Sequence, residues 1–350
     1  MALSFLHYVA ILALISLIFH ASYVFGRLGV KDIPNERSLH TEITKKSGGM
    51  VFIPLFLVYI LVWIYGNPEN LGQNFYLRLL LLGCAFFCFL GFLDDLYHLS
   101  PNFRLILEFS FSLLWIYFLD PAVSLFGHTL SGPFLIVTVT GFCLVFIVNL
   151  VNFMDGLDLY LIGTLFISIL FWSPVYSLSF LPGQNFFIVL TLFLCAISGF
   201  SFFNFPKAKL FMGDSGSLAI GFLFIALPLL VSKESNESFE LLTLFFLFPI
   251  FWIDGIVTIV IRASQKKHLF RAHREHLYQI LTETRLGKTG TCFISILSNL
   301  PATIVYSLYQ LKLLELQISK DTLILIIILV YIVIYSFLRF VFFRKRKNLA

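Results

Sequence analysis

Runs of about 20 apolar residues recur along this chain, and that recurrence limits what it can fold into more than any other feature. A helix needs roughly 20 such residues to cross the hydrocarbon of a bilayer. Eleven runs are found, near Leu3–Phe25, Gly48–Tyr65, Phe75–Leu93, Phe103–Leu119, Phe134–Val151, Leu159–Trp172, Phe186–Phe203, Phe211–Val231, Phe239–Ile261, Cys292–Leu311 and Thr322–Phe343. The first is too long, and lacks the small-residue cleavage site, for a removed signal peptide. Only 12% of the chain is charged, about half the share of a soluble domain. The expectation is an all-α, polytopic membrane protein forming a single membrane-embedded domain, 1–350. Its five cysteines all fall inside the runs, where they read as small apolar fillers.

Eleven spans put the two termini on opposite sides. Lys and Arg collect in cytoplasmic loops, so the tail Arg344–Lys347 places the C-terminus inside and the N-terminus outside. With that orientation, twenty of the 24 basic residues fall on the cytoplasmic side. The net charge of +5 is then a topology signal that calls for no nucleic-acid partner, and the surplus suits anionic lipid heads and phosphorylated substrates.

Four polar stretches interrupt the apolar pattern, all on the inner side. "FLDDLYHLSPNFR" holds Asp94 and Asp95. "NLVNFMDGLDLYLIG" holds Asn152, Asp155 and Asp158. "FNFPKAKLFMGDSGSL" holds Asn204, Lys207, Lys209 and Asp214. "RAHREHLYQIL" holds His273, Arg274 and His276. Asp155 and Asp158 are three apart, so on a helical turn they share a face. The glycines around Asp214 let backbone approach a ligand closely, and the span starting there offers N–H groups to an anion.

Each stretch alone has a plain structural reading: a solvated helix end, a cap, a loop. Together they differ. A carboxylate at the hydrocarbon margin costs a few kcal/mol unless paired or wetted, and five gathered on one rim repel one another. A divalent cation relieves that repulsion, and oxygen ligands suit Mg²⁺ or Mn²⁺. Because Mg²⁺ shares its shell between protein carboxylates and substrate phosphates, the pattern points to a diphosphate-bearing substrate and phosphoryl transfer.

In order and position among the spans, these motifs resemble the polyprenyl-phosphate N-acetylhexosamine-1-phosphate transferases, from "DIPNERSLH" at Asp32 to "HREHLYQIL" ending at Leu281. The resemblance implies a reaction in which a UDP-N-acetyl amino sugar gives its sugar 1-phosphate to undecaprenyl phosphate, releasing UMP with Mg²⁺ required. It implies Asp214 as the main metal ligand and Asp94 and Asp95 beside the lipid phosphate, one as its base and Asp94 also near the metal. Asn152 and Asp155 would lie next to the diphosphate. Asp158, Asn204 and Phe211 would face the nucleoside, with Phe211 stacked on uracil. Lys46, before Gly48–Gly49, would meet phosphate. His276 matches a functionally important histidine, with His273 and Arg274 beside it on the substrate.

Tyr278 and Gln279 stand where many GlcNAc-specific members carry a further histidine pair. "HREHLYQ" looks more like the O-antigen-initiating branch that accepts 6-deoxy amino sugars such as FucNAc or QuiNAc. The phospho-N-acetylmuramoyl-pentapeptide branch is disfavoured, since its histidine-rich signature is missing. The expected setting is the bacterial inner membrane, with a cytoplasmic site and residues 262–290 as the loop that sets sugar choice; a homodimer is left open. The alternative from another class is a cation-coupled transporter, which also places carboxylates in spans but near the midplane.

Overall fold

The computed structural model describes residues 2–27, 29–34, 41–67, 74–179, 184–267 and 274–349, with side chains except at 2–5, 74, 170–179, 184–186 and 344–349. In chain order the elements are α1 (Ala2–Phe25), β1 (Val30–Asp32), β2 (Thr44–Lys46), α2 (Gly49–Gly66), α3 (Asn74–Tyr97), α4 (Pro101–Leu119), β3 (Val123–Leu125), β4 (His128–Thr129) and α5 (Pro133–Met154). There follow α6 (Tyr160–Ser179), α7 (Gln184–Asn204), α8 (Asp214–Glu234), β5 (Phe239–Glu240), a 3-10 helix (Leu241–Leu247), α9 (Pro249–Ser264), α10 (Leu277–Leu281), α11 (Gly287–Leu297), α12 (Leu300–Gln310) and α13 (Lys320–Leu349).

The protein is helical and polytopic, as the sequence leads one to expect. Among the described residues nine helices are long and apolar enough to cross a membrane, or ten if one bent pair counts as a span; the sequence suggests eleven. Two places account for the difference. The expected ninth run is the bent pair, in which the 3-10 helix and α9 meet at 105°. Phe248 leaves the helical region there (φ −146°, ψ 64°) and Pro249 opens α9, a position where its missing N–H costs nothing. The expected sixth run falls in α6, a helix of 20 residues whose side chains are described only as far as Ile169. The tenth is α11 and α12, which together pass as Gly287–Gln310.

The chain divides into two compact units. Among the described residues the first takes those up to Asn152 and those from 184 to Phe239; the second takes those from Phe153 to Ser179 and from Glu240 onward. In the first, α8 is the core, with every residue from Ser215 to Ser232 buried. A helix that is apolar all round is either a core helix or a lipid-facing span, and burial by protein along its length makes α8 the former. Phe222 of α8 packs on Phe87 of α3 and Trp115 of α4, with ring centroids at 5.1 and 5.0 Å. Helices in lipid associate through close fit, which needs small residues at the contact. Gly91 of α3 is such a residue: a Cβ there would stand 2.1 Å from the backbone oxygen of Asp214. α3 therefore comes down on the first turn of α8 three residues before its own acidic pair.

Short β-structure edges this unit. β1 pairs antiparallel with β2, Val30 opposite Lys46 and Asp32 opposite Thr44, and β3 pairs antiparallel with β4. In the second unit α6 packs on α11 and α12, and α13 packs on α9, with Phe246 of the 3-10 helix stacked on Tyr306 of α12 at 4.2 Å. All five cysteines are free thiols, buried or nearly so.

Candidate active site

In the first unit the acidic pair at the end of α3 splits into two tasks. Asp95 is 5% exposed and faces the N-terminus of α8. Gly213, which precedes that helix at φ +72°, offers no side chain as a cap. The Asp95 carboxylate takes the place: Oδ1 accepts the Asp214 N–H at 3.3 Å and Oδ2 the Ser215 N–H at 3.4 Å. These are donors that a helix start leaves orphaned, and a negative charge there opposes the helix dipole favourably. Oδ2 also accepts the Ser47 hydroxyl at 2.7 Å, and Lys46 Nζ stands 3.5 Å from Oδ1.

Asp94 turns the other way. Its Oδ1 accepts the Leu99 N–H at 2.8 Å, and its Oδ2 receives Arg104 Nη1 at 2.6 Å. The same nitrogen lies 3.3 Å from Oδ2 of Asp214. Arg104 Nη2 donates to Asn149 Oδ1 at 3.2 Å, and Nε lies 3.4 Å from Oε1 of Glu108, one helical turn along α4. Asn149 also donates to the fully buried Glu108. Three residues on, and so on the same face of α5, Asn152 donates to Asp214 Oδ1 at 2.8 Å and to Ser217 at 2.9 Å. One guanidinium thus ties α3, α4, α5 and α8 together. The Asp214 side chain keeps a third of its surface open.

The loop before α8 runs beside the segment leading into α2. Phe211 N–H donates to the Lys45 carbonyl, and the N–H groups of Gly48 and Gly49 donate to the carbonyls of Phe211 and Met212. Lys46 and half-buried Phe211 are thereby placed at the same edge as Asp95 and Asp214. Asn204 is buried and its amide donates to the Leu210 carbonyl at 3.0 Å, tethering this loop. Lys45 is spent differently from Lys46: its Nζ caps α1 by donating to the carbonyls of Tyr23 and Gly26.

In the second unit Asp155 and Asp158 do not sit in one helix. Both occupy the turn between α5 and α6 and are half-buried. Tyr278 of α10 lies against that turn: a Cβ on Gly156 would be 2.2 Å from its hydroxyl oxygen. Burial, then the charges of Asp254 and Asp155, push the Tyr278 hydroxyl well above the usual tyrosine range, so it stays protonated. His276 is buried and precedes α10, with Nδ1 at 3.2 Å from Asp254 of α9. Arg274 is half-buried, and His273 lies outside the described residues. Between Arg274 and His276 in sequence, Glu275 pairs with Lys267 at 2.7 Å and Arg262 at 3.1 Å. Burial raises its carboxyl, but these partners outweigh burial and hold it below the ordinary glutamate value.

Comparisons with known proteins bear on the same stretch of chain. Residues 77–232, the stretch from α3 through α8, match the model described as Glycosyl transferase family 4. The resemblance read from the motifs is to this family. The chain is 26% identical to the "Probable undecaprenyl-phosphate N-acetylglucosaminyl 1-phosphate transferase" of Bacillus subtilis over 73% of its own length and 70% of that protein. It is 29% identical to the "Undecaprenyl-phosphate alpha-N-acetylglucosaminyl 1-phosphate transferase" of Thermotoga maritima over 75% and 76%. It is 28% identical to a "Phospho-N-acetylmuramoyl-pentapeptide-transferase" of Wolbachia over 65% and 71%. The family 4 segment holds Asp94, Asp95, Asn152, Asp155, Asp158, Asn204, Phe211 and Asp214, while Lys46 and His276 lie outside it.

The motifs group Asp94, Asp95 and Asp214, and the structure joins them around Arg104 and the α8 terminus. The motifs do not single out Arg104, Glu108 or Asn149, all inside the family 4 segment. A signal exists in the chain: a basic and an acidic residue four apart inside an apolar run face the same side and mark a paired, inward site. Among the described residues, no three His, Cys, Asp or Glu side chains form a metal cage; Arg104 stands where Asp94 and Asp214 converge.

Proposed function

We propose that this chain transfers a sugar 1-phosphate from a UDP-N-acetylhexosamine to undecaprenyl phosphate, yielding undecaprenyl-diphosphate-sugar and UMP, with Mg²⁺ as cofactor. The observation that carries the reading is the convergence of Asp94 and Asp214 on one point beside Asn152, in the segment shared with family 4. Two carboxylates sharing one cationic point, one of them open to solvent, are the oxygen set that Mg²⁺ or Mn²⁺ takes when substrate phosphates complete the shell. Asp214 and Asp94 would hold the ion, which supplies charge neutralisation at the diphosphate.

The chain's own residues bind and align. Arg104, released from one carboxylate, and Lys46 would take phosphate oxygens. Asn152 and Asp155 would orient the diphosphate, and Phe211 with Asp158 and Asn204 would seat the uridine. His273, Arg274 and His276 would meet the donor on its sugar side. An oxygen of the lipid phosphate bonds to the phosphorus that carries the sugar, and the bond from that phosphorus to the UMP oxygen breaks. The lipid phosphate is already nucleophilic, so alignment and charge neutralisation dominate. Asp94 or Asp95 would take its residual proton.

The gathering of twenty of the 24 basic residues in alternate loops of the eleven-run reading supports an inner-membrane protein with its N-terminus outside and its site inside. "HREHLYQ" supports a 6-deoxy donor such as FucNAc or QuiNAc beside GlcNAc, in initiation of a surface polysaccharide such as O-antigen. The three relatives described above are named as transferases, which gives the transporter reading no support. The test is UMP release by purified protein from UDP-GlcNAc, UDP-GalNAc, UDP-QuiNAc and UDP-FucNAc. Release that needs both undecaprenyl phosphate and Mg²⁺, and is abolished by chelation, is the expected result; release without either sinks the assignment. Exchanging residues 262–290 for the loop of a GlcNAc-specific relative is expected to change the preferred donor.

A further inference from the structure

Asp254 is a lone carboxylate in the apolar α9, 2% exposed, and a charge in that setting persists only when it is fully partnered. Its Oδ1 receives Tyr335 hydroxyl at 2.5 Å, the Leu277 N–H at 3.1 Å, Thr258 hydroxyl at 3.2 Å and His276 Nδ1 at 3.2 Å. Arg339, one turn beyond Tyr335 on α13 and itself buried, donates to the Thr258 hydroxyl at 2.9 Å and to the Tyr335 oxygen at 3.1 Å. Three elements of the second unit therefore meet at one oxygen: α9, the start of α10 and the last helix.

We propose that Asp254, backed by Tyr335 and Arg339 of α13, is the positioning residue that fixes the ring orientation and tautomer of His276. An ionised carboxylate only accepts, so its contact with Nδ1 is favourable when that nitrogen carries the proton, which leaves Nε2 as the basic nitrogen. The Leu277 N–H on the same oxygen pins the backbone next to His276, so the ring cannot swing without losing a second bond. Tyr278, stacked over the imidazole with centroids 5.9 Å apart, closes one face. The family match ends at residue 232, so Asp254, Tyr335 and Arg339 all lie beyond it. The proposal rests on the reading that His276 meets the substrate.

The test is a double-mutant cycle on purified full-length protein, with Asp254→Asn, His276→Ala and the pair compared in kcat and KM for the preferred UDP-sugar. Thermal unfolding of each variant is recorded alongside. Loss of an orienting partner behind a functional histidine typically costs roughly 10- to 100-fold in activity. The expected result is a fall of that size in kcat for Asp254→Asn with a smaller change in KM, and no further fall when it is added to His276→Ala. Tyr335→Phe, which keeps the ring and the carboxylate, is expected to show the same pattern at about a tenth to a third of the size, and serves if Asp254→Asn does not fold. Equal losses in the two backgrounds, or wild-type kcat in Asp254→Asn and Tyr335→Phe, overturn the proposal. Wild-type kinetics in His276→Ala overturn the reading beneath it as well.

Discussion

The two polar clusters of this protein are built inside out relative to each other. In the first unit a cation sits at the centre, with Arg104 surrounded by Asp94, Asp214 and Glu108. In the second a carboxylate sits at the centre, with Asp254 surrounded by hydroxyl, amide and imidazole donors. The first sets three carboxylates against one guanidinium and leaves Asp214 a third exposed. The second is closed, with the Asp254 side chain 3% exposed. Surplus negative charge at an open edge can still take a cation and its phosphates. A sealed carboxylate crowded with donors has nothing left to bind, and can only hold other groups in place.

The largest effect that would break this contrast is at Asp214. Asp214→Asn keeps the shape and removes the open charge, so activity is expected to fall by about 10²- to 10³-fold while thermal unfolding stays near wild type. Retained turnover at saturating Mg²⁺ would remove the first cluster from the chemistry. Arg104 comes next. Arg104→Ala leaves the buried Glu108 and Asp94 without their cation, a loss that costs about 3–5 kcal/mol for a buried pair, visible as a lower unfolding temperature together with lost activity. Arg104→Lys cannot span Asp94, Asp214 and Asn149 at once, since a single ammonium replaces a planar fork, and is expected to recover stability more than turnover.

Glu108 sharpens the comparison from within. Glu108→Gln keeps the link to Asn149 and removes the charge opposite Nε. Arg104 should then bind Asp94 and Asp214 more strongly, and the Mg²⁺ concentration for half-maximal activity is expected to rise by about 3- to 10-fold, from about 1 kcal/mol of pairing. An unchanged metal requirement would show that Arg104 does not compete for that position. The smallest effect is at Glu275, which lies outside both clusters and pairs with Lys267 and Arg262. Its carboxyl lies below the ordinary glutamate value, so its stabilising contribution is present above the unfolded pKa and fades as pH falls through the folded one. Glu275→Gln should therefore lower stability near neutral pH by about 0.2–1 kcal/mol. It should also flatten the fall in unfolding temperature below about pH 4. Equal pH dependence in both proteins would mean the pairs do not persist in solution.

Much of the fold and part of the candidate site are legible in the chain itself. Hydrophobic run length marks the helices, because lipid demands it of any spanning segment. The motifs mark the family, and with it the grouping of Asp94, Asp95 and Asp214. Less visible is the division between Asp94 and Asp95. Adjacent residues on a helix point about 100° apart, so one meets Arg104 and the other the α8 terminus, but nothing local says which. The bend before α9 is half visible, since Pro249 marks a break inside Phe239–Ile261 but hydropathy does not register backbone direction. Arg104 and Arg339 both lie near the ends of apolar runs, where each counts first toward the basic-inside tally, and only the pairing of Arg104 with Glu108 four residues on hints at more.

What the sequence determined alone is what depends on local composition: a helical membrane protein and four polar stretches of transferase type. What tertiary structure decided is which charge answers which. Partnership between Arg104 and Asp214, 110 positions apart, or between Asp254 and Tyr335, 81 apart, depends on helix packing, and packing is set by contacts such as Gly91 on the α8 backbone. Charge is written in the chain residue by residue, but the energy of a charge in a membrane is set by its neighbours in space, and those exist only once the helices have met.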